Sequence, residues 1–215
     1  MRYAPLKRAM DLALTVPAFV VSLPIQAGAA VAIRSTMGSP VFFRQTRPGL
    51  HGEPFEMVKF RTMHHVDAAK GRINDAQRLT TVGSFLRSTS IDELPTLWNI
   101  LRGDMSIVGP RPLLMKYLPL YSPEQARRHE AKPGLTGLAQ VSGRNALAWE
   151  DRFALDVEYV ENRSLGLDLR IIAQSVNAVL RREGISAEGE ATMSEFTGGV
   201  ADSRAVPGAV RGGAR

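Results

Sequence analysis

The chain has 215 residues, of which 44% are hydrophobic and 22% are charged, and it contains no cysteine. These values are typical of one globular domain, and they argue against wholesale disorder and against a protein with many membrane spans. The lack of cysteine excludes disulfides, thiolate metal sites and a thiol nucleophile. The net charge of +6 suits polyanionic partners, and nucleic acid, anionic lipid headgroups and phosphorylated substrates satisfy it equally.

The first predicted element is an uncharged segment from Leu12 to Ile33, with basic residues on both sides. A straight helix of this length would rise about 33 Å, enough to cross a hydrocarbon core. Pro17 and Pro24 lie inside it, and because proline removes a backbone donor, we expect a bend at Ser22 and Pro24. Basic flanks favour the cytoplasm for both ends, so residues 1–34 are predicted to form a re-entrant membrane helix-hairpin. A spanning anchor, a cleaved signal peptide and a buried core helix are the alternatives.

The rest of the chain is predicted to form one α-rich globular domain of the α+β class over residues 35–185, followed by a flexible tail over 186–215. A pair of short strands is predicted at 40–44 and 55–60, where aromatic and β-branched residues are separated by glycine and proline. Two helices are predicted between 75 and 102. Further helices are predicted at 112–121, 123–131, 149–162 and 168–182, with a short strand near 138–141.

Two adjacent carboxylates, Asp92 and Glu93, fall in the first turn of the second helix between 75 and 102. Ser90 is predicted to be its N-cap, with Glu93 in capping-box spacing, and Gly103 is predicted to end it. Ionised carboxylates can bind a hard divalent cation or attack phosphorus. Taken alone, however, such a pair usually only stabilises a helix end through capping and the helix dipole.

Basic residues from separate segments favour a functional interpretation of this pair. Arginine can bind phosphate oxygens with two hydrogen bonds, and flanking prolines limit the conformational freedom that it loses on binding. Each cation alone is also compatible with a solvated surface, but together they suit a diphosphate. The candidates for phosphate or nucleotide contacts are Lys59, Arg61, Arg87, Arg111 and Arg144.

Several blocks along the chain resemble one family, the bacterial sugar transferases, also called monotopic phosphoglycosyl transferases. The resemblance covers residues 5–185, and the short chain is similar to the family's minimal form. The blocks are residues 7–11, 40–45, 59–63, 87–95, 103–112, 133–137 and 143–145. One departure lies in the membrane segment, where Leu23 rather than a serine directly precedes Pro24.

The resemblance implies an enzyme on the cytoplasmic face of the bacterial inner membrane, in contact with membrane lipid. It would transfer a sugar-1-phosphate from a UDP-sugar to polyprenyl (undecaprenyl) phosphate and release UMP. Asp92 would be the nucleophile and a ligand of Mg²⁺, and Glu93 would position it. Residues 113–121 and 183–189 are similar to enzymes that use a bacillosamine-type diacetamido-trideoxy sugar in protein glycosylation.

The sequence is also compatible with other functions. A noncatalytic protein that binds anionic lipid at a membrane surface would need the basic residues and the apolar segment but no nucleophile. Nucleic-acid binding fits the net charge, but no recognition motif occurs, so nucleic acid is not a predicted partner.

Overall fold

The computed structural model describes residues 3–143, 147–180 and 195–198. The helices are α1 Tyr3–Met37, α2 Asp75–Arg78, α3 Thr81–Ser88, α4 Leu97–Arg102, α5 Pro123–Ala126, α6 Leu138–Ser142, α7 Trp149–Asn162 and α8 Leu165–Leu180. The strands are β1 Phe42–Pro48, β2 Pro54–Phe60, β3 Ser106–Val108 and β4 Gly134–Thr136. Short 3₁₀ segments occur at Leu50–Gly52, Ala68–Lys70, Ile91–Thr96, Met115–Leu120 and Arg127–Glu130. The α-rich composition with a few short strands confirms the predicted α+β class.

Two small sheets connect these helices. β1 and β2 form an antiparallel pair with Phe42 opposite Phe60 and Pro48 opposite Pro54, which confirms the predicted strand pair and extends it. β3 and β4 pair in parallel, an arrangement that the sequence analysis did not predict. The strand predicted near 138–141 is wrong, because these residues form α6 and the strand β4 lies just before it.

The first helix, α1, runs without interruption from Tyr3 to Met37 and contains both Pro17 and Pro24. The predicted hairpin is therefore not confirmed. By length and composition α1 could cross a membrane. Pro24 has no N–H, so the carbonyl of Val20 lacks its helical hydrogen-bond donor. The nearby Ser22 hydroxyl does not replace this donor, because it donates to the carbonyl oxygen of Phe19, 2.9 Å away.

Both ends of α1 contact the same globular domain. Near its start, Lys7 forms an ion pair with Asp168 of α8 at 2.9 Å, and the buried Asp11 accepts hydrogen bonds from β3. Near its end, the fully buried Ile33 packs with Phe60 of β2 and Leu86 of α3. The helix thus lies along the domain and does not project away from it.

The polarity of α1 is the reverse of that expected for a helix on a water-soluble protein. Its buried residues include Asp11, Thr15 and Ser22, which face the domain. Its exposed side carries large apolar residues, among them Val21 and Val31, with exposed fractions of 75% and 66%. A surface helix in water places its apolar face inward and its polar face outward. The outer face of α1 therefore matches an apolar environment.

The C-terminal half of the domain agrees with the sequence analysis in part. The helix predicted at 149–162 is confirmed as α7, and the one predicted at 168–182 is α8, which begins at Leu165. The helix predicted at 112–121 is a 3₁₀ segment with Pro119 inside it. Most of the predicted tail lies outside the described residues, but Phe196 is buried against Tyr117 and Phe153, so this part of the tail docks on the domain.

Candidate active site

The segment that carries Asp92 and Glu93 is fixed to the free edge of strand β2. The Thr96 hydroxyl donates to the carbonyl oxygen of Val58 at 3.0 Å. The Asn99 side chain accepts from the backbone N–H of Val58 at 3.1 Å and donates to the carbonyl oxygen of Glu56 at 2.7 Å. Buried polar groups must be hydrogen-bonded, so Thr96 and Asn99 satisfy an otherwise unpaired strand edge. This docking brings the carboxylates next to Lys59, the next residue along β2.

The two carboxylates do not lie in the first turn of an α-helix, and the predicted capping box is wrong. Ile91–Thr96 forms a 3₁₀ segment, and α4 begins only at Leu97. Ser90 has a φ of 55° in the left-handed region and makes no side-chain capping bond. Pro95 has no N–H to donate to the carbonyl of Ile91, which disfavours a regular α-helical turn here. Gly103, with a φ of 90°, ends α4 as predicted.

Glu93 is held by two cations. Its Oε1 lies 2.6 Å from Lys59 Nζ and 3.0 Å from Arg111 Nη2. Burial alone would raise the pKa of Glu93, but the charges and hydrogen bonds of Lys59 and Arg111 outweigh it and lower the pKa to about 2. Glu93 is therefore ionised at neutral pH and keeps both cations beside the adjacent carboxylate.

Asp92 has a different environment. Within residues 3–143, 147–180 and 195–198, its carboxylate has no hydrogen bond and no ion pair shorter than 4 Å. Burial and, after it, the charge of Glu93 raise the pKa of Asp92 to about 6, although the charges of Lys59, Arg87 and Arg111 oppose this shift. At pH 7 most molecules carry an ionised Asp92 that lies among cations and has no side-chain partner in the described part of the chain. Such a carboxylate can act as a nucleophile or as a metal ligand.

Arg111 lies in the loop that follows strand β3, between Pro110 and Pro112. Three donors from different parts of the chain bind three successive carbonyl oxygens of this loop. Gly134 N–H binds that of Pro110 at 2.9 Å, Arg128 Nη2 binds that of Arg111 at 2.8 Å, and Arg47 Nη1 binds that of Pro112 at 3.5 Å. The main chain of Arg111 is thus fixed, while 42% of its side chain remains exposed.

The remaining predicted contact residues lie in different environments. Arg87 donates from Nε to Thr62 Oγ1 at 3.1 Å and lies close enough to lower the pKa of Asp92. Arg61 is buried, and its Nη2 donates to the carbonyl oxygens of Met37 and Gly38 at 2.8 and 2.7 Å. Arg61 therefore satisfies unpaired carbonyls at the end of α1. Arg144 lies outside the described residues.

A divalent cation at this site would need ligands beyond the side chains of the described residues. The described residues contain no cluster of three or more histidine, aspartate or glutamate side chains that could hold a metal ion. Asp92 nevertheless fits a single-carboxylate site, because its oxygens have no internal partner among the described residues. Mg²⁺ is commonly bound by one or two carboxylates together with substrate phosphates and water.

The residues that support the site carry no signal that predicts them from the sequence. Thr96 and Asn99 carry no motif that distinguishes them from ordinary helix residues. Arg128 follows another arginine, so it resembles a solvated surface residue, yet its side chain is only 1% exposed. Only their contacts in the folded protein show that Thr96, Asn99 and Arg128 support the site.

Among the described residues Asp92 has no hydrogen-bonding or ion-pairing partner, and it lies near cations on a domain with an outward-facing apolar helix. This arrangement suits an enzyme that handles phosphorylated substrates next to an apolar phase. The comparisons with known proteins agree. The family model for bacterial sugar transferases matches residues 2–182. The chain belongs to this family, which confirms the prediction made from its sequence blocks and its assignment as a sugar-phosphate transferase.

Among its relatives, an uncharacterized sugar transferase, EpsL, of Bacillus subtilis is 52% identical over 194 residues, which cover 90% of this chain and 96% of that protein. The UDP-glucose:undecaprenyl-phosphate glucose-1-phosphate transferase of Caulobacter vibrioides is 43% identical over 81% of this chain and 69% of its own length. The undecaprenyl-phosphate galactose phosphotransferase of Salmonella typhimurium is 35% identical over 83% of this chain, but only 41% of its own length is matched.

Proposed function

We propose that this protein transfers a sugar-1-phosphate from a UDP-sugar to polyprenyl phosphate, through a covalent intermediate on Asp92. The observation that carries the proposal is the contrast between the two adjacent carboxylates. Glu93 is held by Lys59 and Arg111, whereas Asp92 has no partner of its own among the described residues. The named relatives from Caulobacter and Salmonella act with undecaprenyl phosphate, which supports the same acceptor here.

The first step forms a bond between an Asp92 oxygen and the β-phosphorus of the UDP-sugar. The bond from this phosphorus to the bridging oxygen breaks, and UMP leaves with the electron pair. In the second step an oxygen of polyprenyl phosphate attacks the same phosphorus, the bond to Asp92 breaks, and the lipid-linked diphosphate sugar is released. A covalent intermediate on a carboxylate divides one difficult transfer into two easier ones.

The protein's own residues supply the orientation and the charge. Lys59 and Arg111, held beside Asp92 by Glu93, face the region where the diphosphate would lie, and Arg87 adds a third positive charge. Fixed cations stabilise the charge that develops on the transferring phosphoryl group. Asp92 is the residue that would hold Mg²⁺, whose charge would reduce the repulsion between the carboxylate and the diphosphate.

We further propose that the protein associates with one face of the membrane, on the cytoplasmic side. Because both ends of α1 contact one globular domain, a helix that crossed the bilayer would have to carry part of this domain through about 30 Å of hydrocarbon. Insertion of the outer face of α1 into one leaflet avoids this and keeps both ends on the same side. The exposed aromatic rings of Phe85 and Trp98, on helices that neighbour α1, suit the membrane–water interface.

The sugar stays a prediction. The Caulobacter and Salmonella relatives are named for glucose and galactose, whereas residues 113–121 and 183–189 favour a diacetamido-trideoxy sugar. Neither assignment changes the chemistry at the β-phosphorus. A panel of UDP-sugars that includes all three types distinguishes between them.

The test is release of UMP from each UDP-sugar by the purified protein with Mg²⁺, first without and then with polyprenyl phosphate. The proposal predicts up to one equivalent of UMP before the acceptor is added and continued turnover afterwards. A protein that binds anionic vesicles but releases no UMP from any donor would instead be the noncatalytic membrane-surface protein.

A further inference from the structure

A buried ion pair lies behind Arg111, outside the site itself. Arg128, in the 3₁₀ segment Arg127–Glu130, contacts Asp156 of α7 through Nε at 3.0 Å and Nη2 at 2.6 Å. Their side chains are 1% and 2% exposed. Removing two charges from water costs several kcal/mol per ion, and hydrophobic replacements of such pairs are often neutral or stabilising. Stability alone is therefore a weak explanation for this pair.

The pair has a direct connection to the active site. The same Nη2 of Arg128 that binds Asp156 also donates to the backbone carbonyl of Arg111, 2.8 Å away. The flanking Pro110 and Pro112 have no N–H groups, so the loop is attached chiefly through its carbonyl oxygens. Of the three donors to these oxygens, Arg128 forms the shortest hydrogen bond and the only one to Arg111 itself.

We propose that Arg128, oriented by Asp156, is a positioning residue that holds the main chain of Arg111 so that its side chain can bind the substrate diphosphate. The remaining Arg128 nitrogen, Nη1, donates to the Tyr121 hydroxyl at 3.2 Å, so the guanidinium is held from several directions. A guanidinium with several fixed partners has a single orientation, and it therefore transmits that orientation to the Arg111 carbonyl. This inference rests on the proposed function and names a residue on which diphosphate affinity depends.

The decisive variant replaces both charges at once, as Arg128→Met with Asp156→Leu. Neither member of the pair is then left buried without the other, so the domain is expected to fold, and its unfolding midpoint is measured on the same samples. The hydrogen bond to Arg111 is lost. The probe is UDP with Mg²⁺, which carries the diphosphate common to all candidate donors. The dissociation constant for UDP is expected to rise about tenfold to a hundredfold, because small displacements of a binding group have effects of this size.

A double-mutant cycle shows whether the effect passes through Arg111. In an Arg111→Ala background, the Arg128→Met and Asp156→Leu changes should weaken UDP binding no further, since the group that they position is already absent. The proposal would be overturned if the increase in the dissociation constant caused by Arg111→Ala multiplied with that caused by Arg128→Met and Asp156→Leu. An unchanged dissociation constant in the folded Arg128→Met, Asp156→Leu variant would overturn it as well. Arg128→Lys keeps a buried cation beside Asp156 and should retain part of the affinity.

A matched control separates positioning from general loss of packing. Val157 neighbours Asp156 on α7 and is also buried, at 7% exposure, but it forms no bond to the loop. Val157→Ala should lower the unfolding midpoint without changing UDP affinity, and an equal loss of affinity there would refute the positioning role. UMP release by the wild type, measured on the same samples, tests the proposed function independently of this comparison.

Discussion

Lys59→Met tests the electrostatics of the site, because it removes one of the two cations that hold Glu93. The Lys59–Glu93 contact is 2.6 Å long, and its side chains are 18% and 22% exposed. The Arg44–Glu56 contact joins strands β1 and β2 at 2.7 Å, but its side chains are 61% and 50% exposed. A partly buried, charge-assisted hydrogen bond contributes about 1.5–3 kcal/mol, whereas an exposed ion pair contributes about 0–1 kcal/mol. Lys59→Met should therefore reduce the free energy of unfolding more than Arg44→Met does.

The same change should shift the pH dependence of catalysis. The Lys59 charge lowers the pKa of both Asp92 and Glu93, so its removal raises both. Only the ionised Asp92 can attack, and a higher pKa means that activity is lost at a higher pH. The acid limb of UMP release, expected near pH 6 in the wild type, should therefore move towards neutral pH.

The assay combines chemical denaturation with UMP release measured from about pH 5 to about pH 9, a range that includes the titration of the Asp92 carboxylate near pH 6. Arg44→Met serves as the control and should leave the pH profile unchanged. Equal losses of stability in the two variants, or an acid limb that does not move in Lys59→Met, would refute the electrostatic description of the site.

Three further predictions follow from the same geometry. Below about pH 6, the logarithm of the wild-type rate of UMP release should fall with a slope of one against pH, because a single carboxylate must be ionised. Asp92→Asn should abolish UMP release in a stopped assay. Residual turnover in that variant contradicts a nucleophilic role. Val21→Asp should reduce sedimentation with vesicles while Val66→Asp, in the 61–74 loop, should not; equal losses argue against α1 as the membrane contact. Gly83→Ala places a Cβ 1.9 Å from a backbone carbonyl and should lower the unfolding midpoint by more than Gly28→Ala, whose Cβ meets nothing within 4 Å; similar midpoints contradict this packing.

The sequence predicts those elements whose formation depends on local pattern. The strand pair follows from alternating aromatic and β-branched residues around a glycine-rich turn, and α7 follows from its apolar periodicity. The capping box failed because its spacing was present while Pro95 disfavoured the α-helical turn that it would begin. The parallel pairing of β3 with β4 joins segments far apart in the chain, which no local pattern reveals.

In the candidate site, too, local sequence patterns do not reveal contacts between residues far apart in the chain. Residue type and spacing identify Asp92 and Glu93 only as a pair, and the family resemblance implies their separate roles. The physical difference between them comes from the long-range contacts of Lys59 and Arg111 with Glu93. The sequence also cannot show that Arg61 binds carbonyls at the end of α1. The sequence and its family resemblance therefore predict the chemistry of the site, whereas the physical basis of the different roles depends on tertiary contacts.

The most direct test of the central claim is the intact mass of the protein quenched in acid after mixing with a UDP-sugar and Mg²⁺, without polyprenyl phosphate. The proposal predicts an added mass equal to one sugar phosphate, located on the peptide that contains Asp92 and absent from Asp92→Asn. Addition of polyprenyl phosphate before the quench should remove it. Full UMP release with no adduct in the wild type, or an adduct on another residue, would contradict the assignment of Asp92 as the nucleophile.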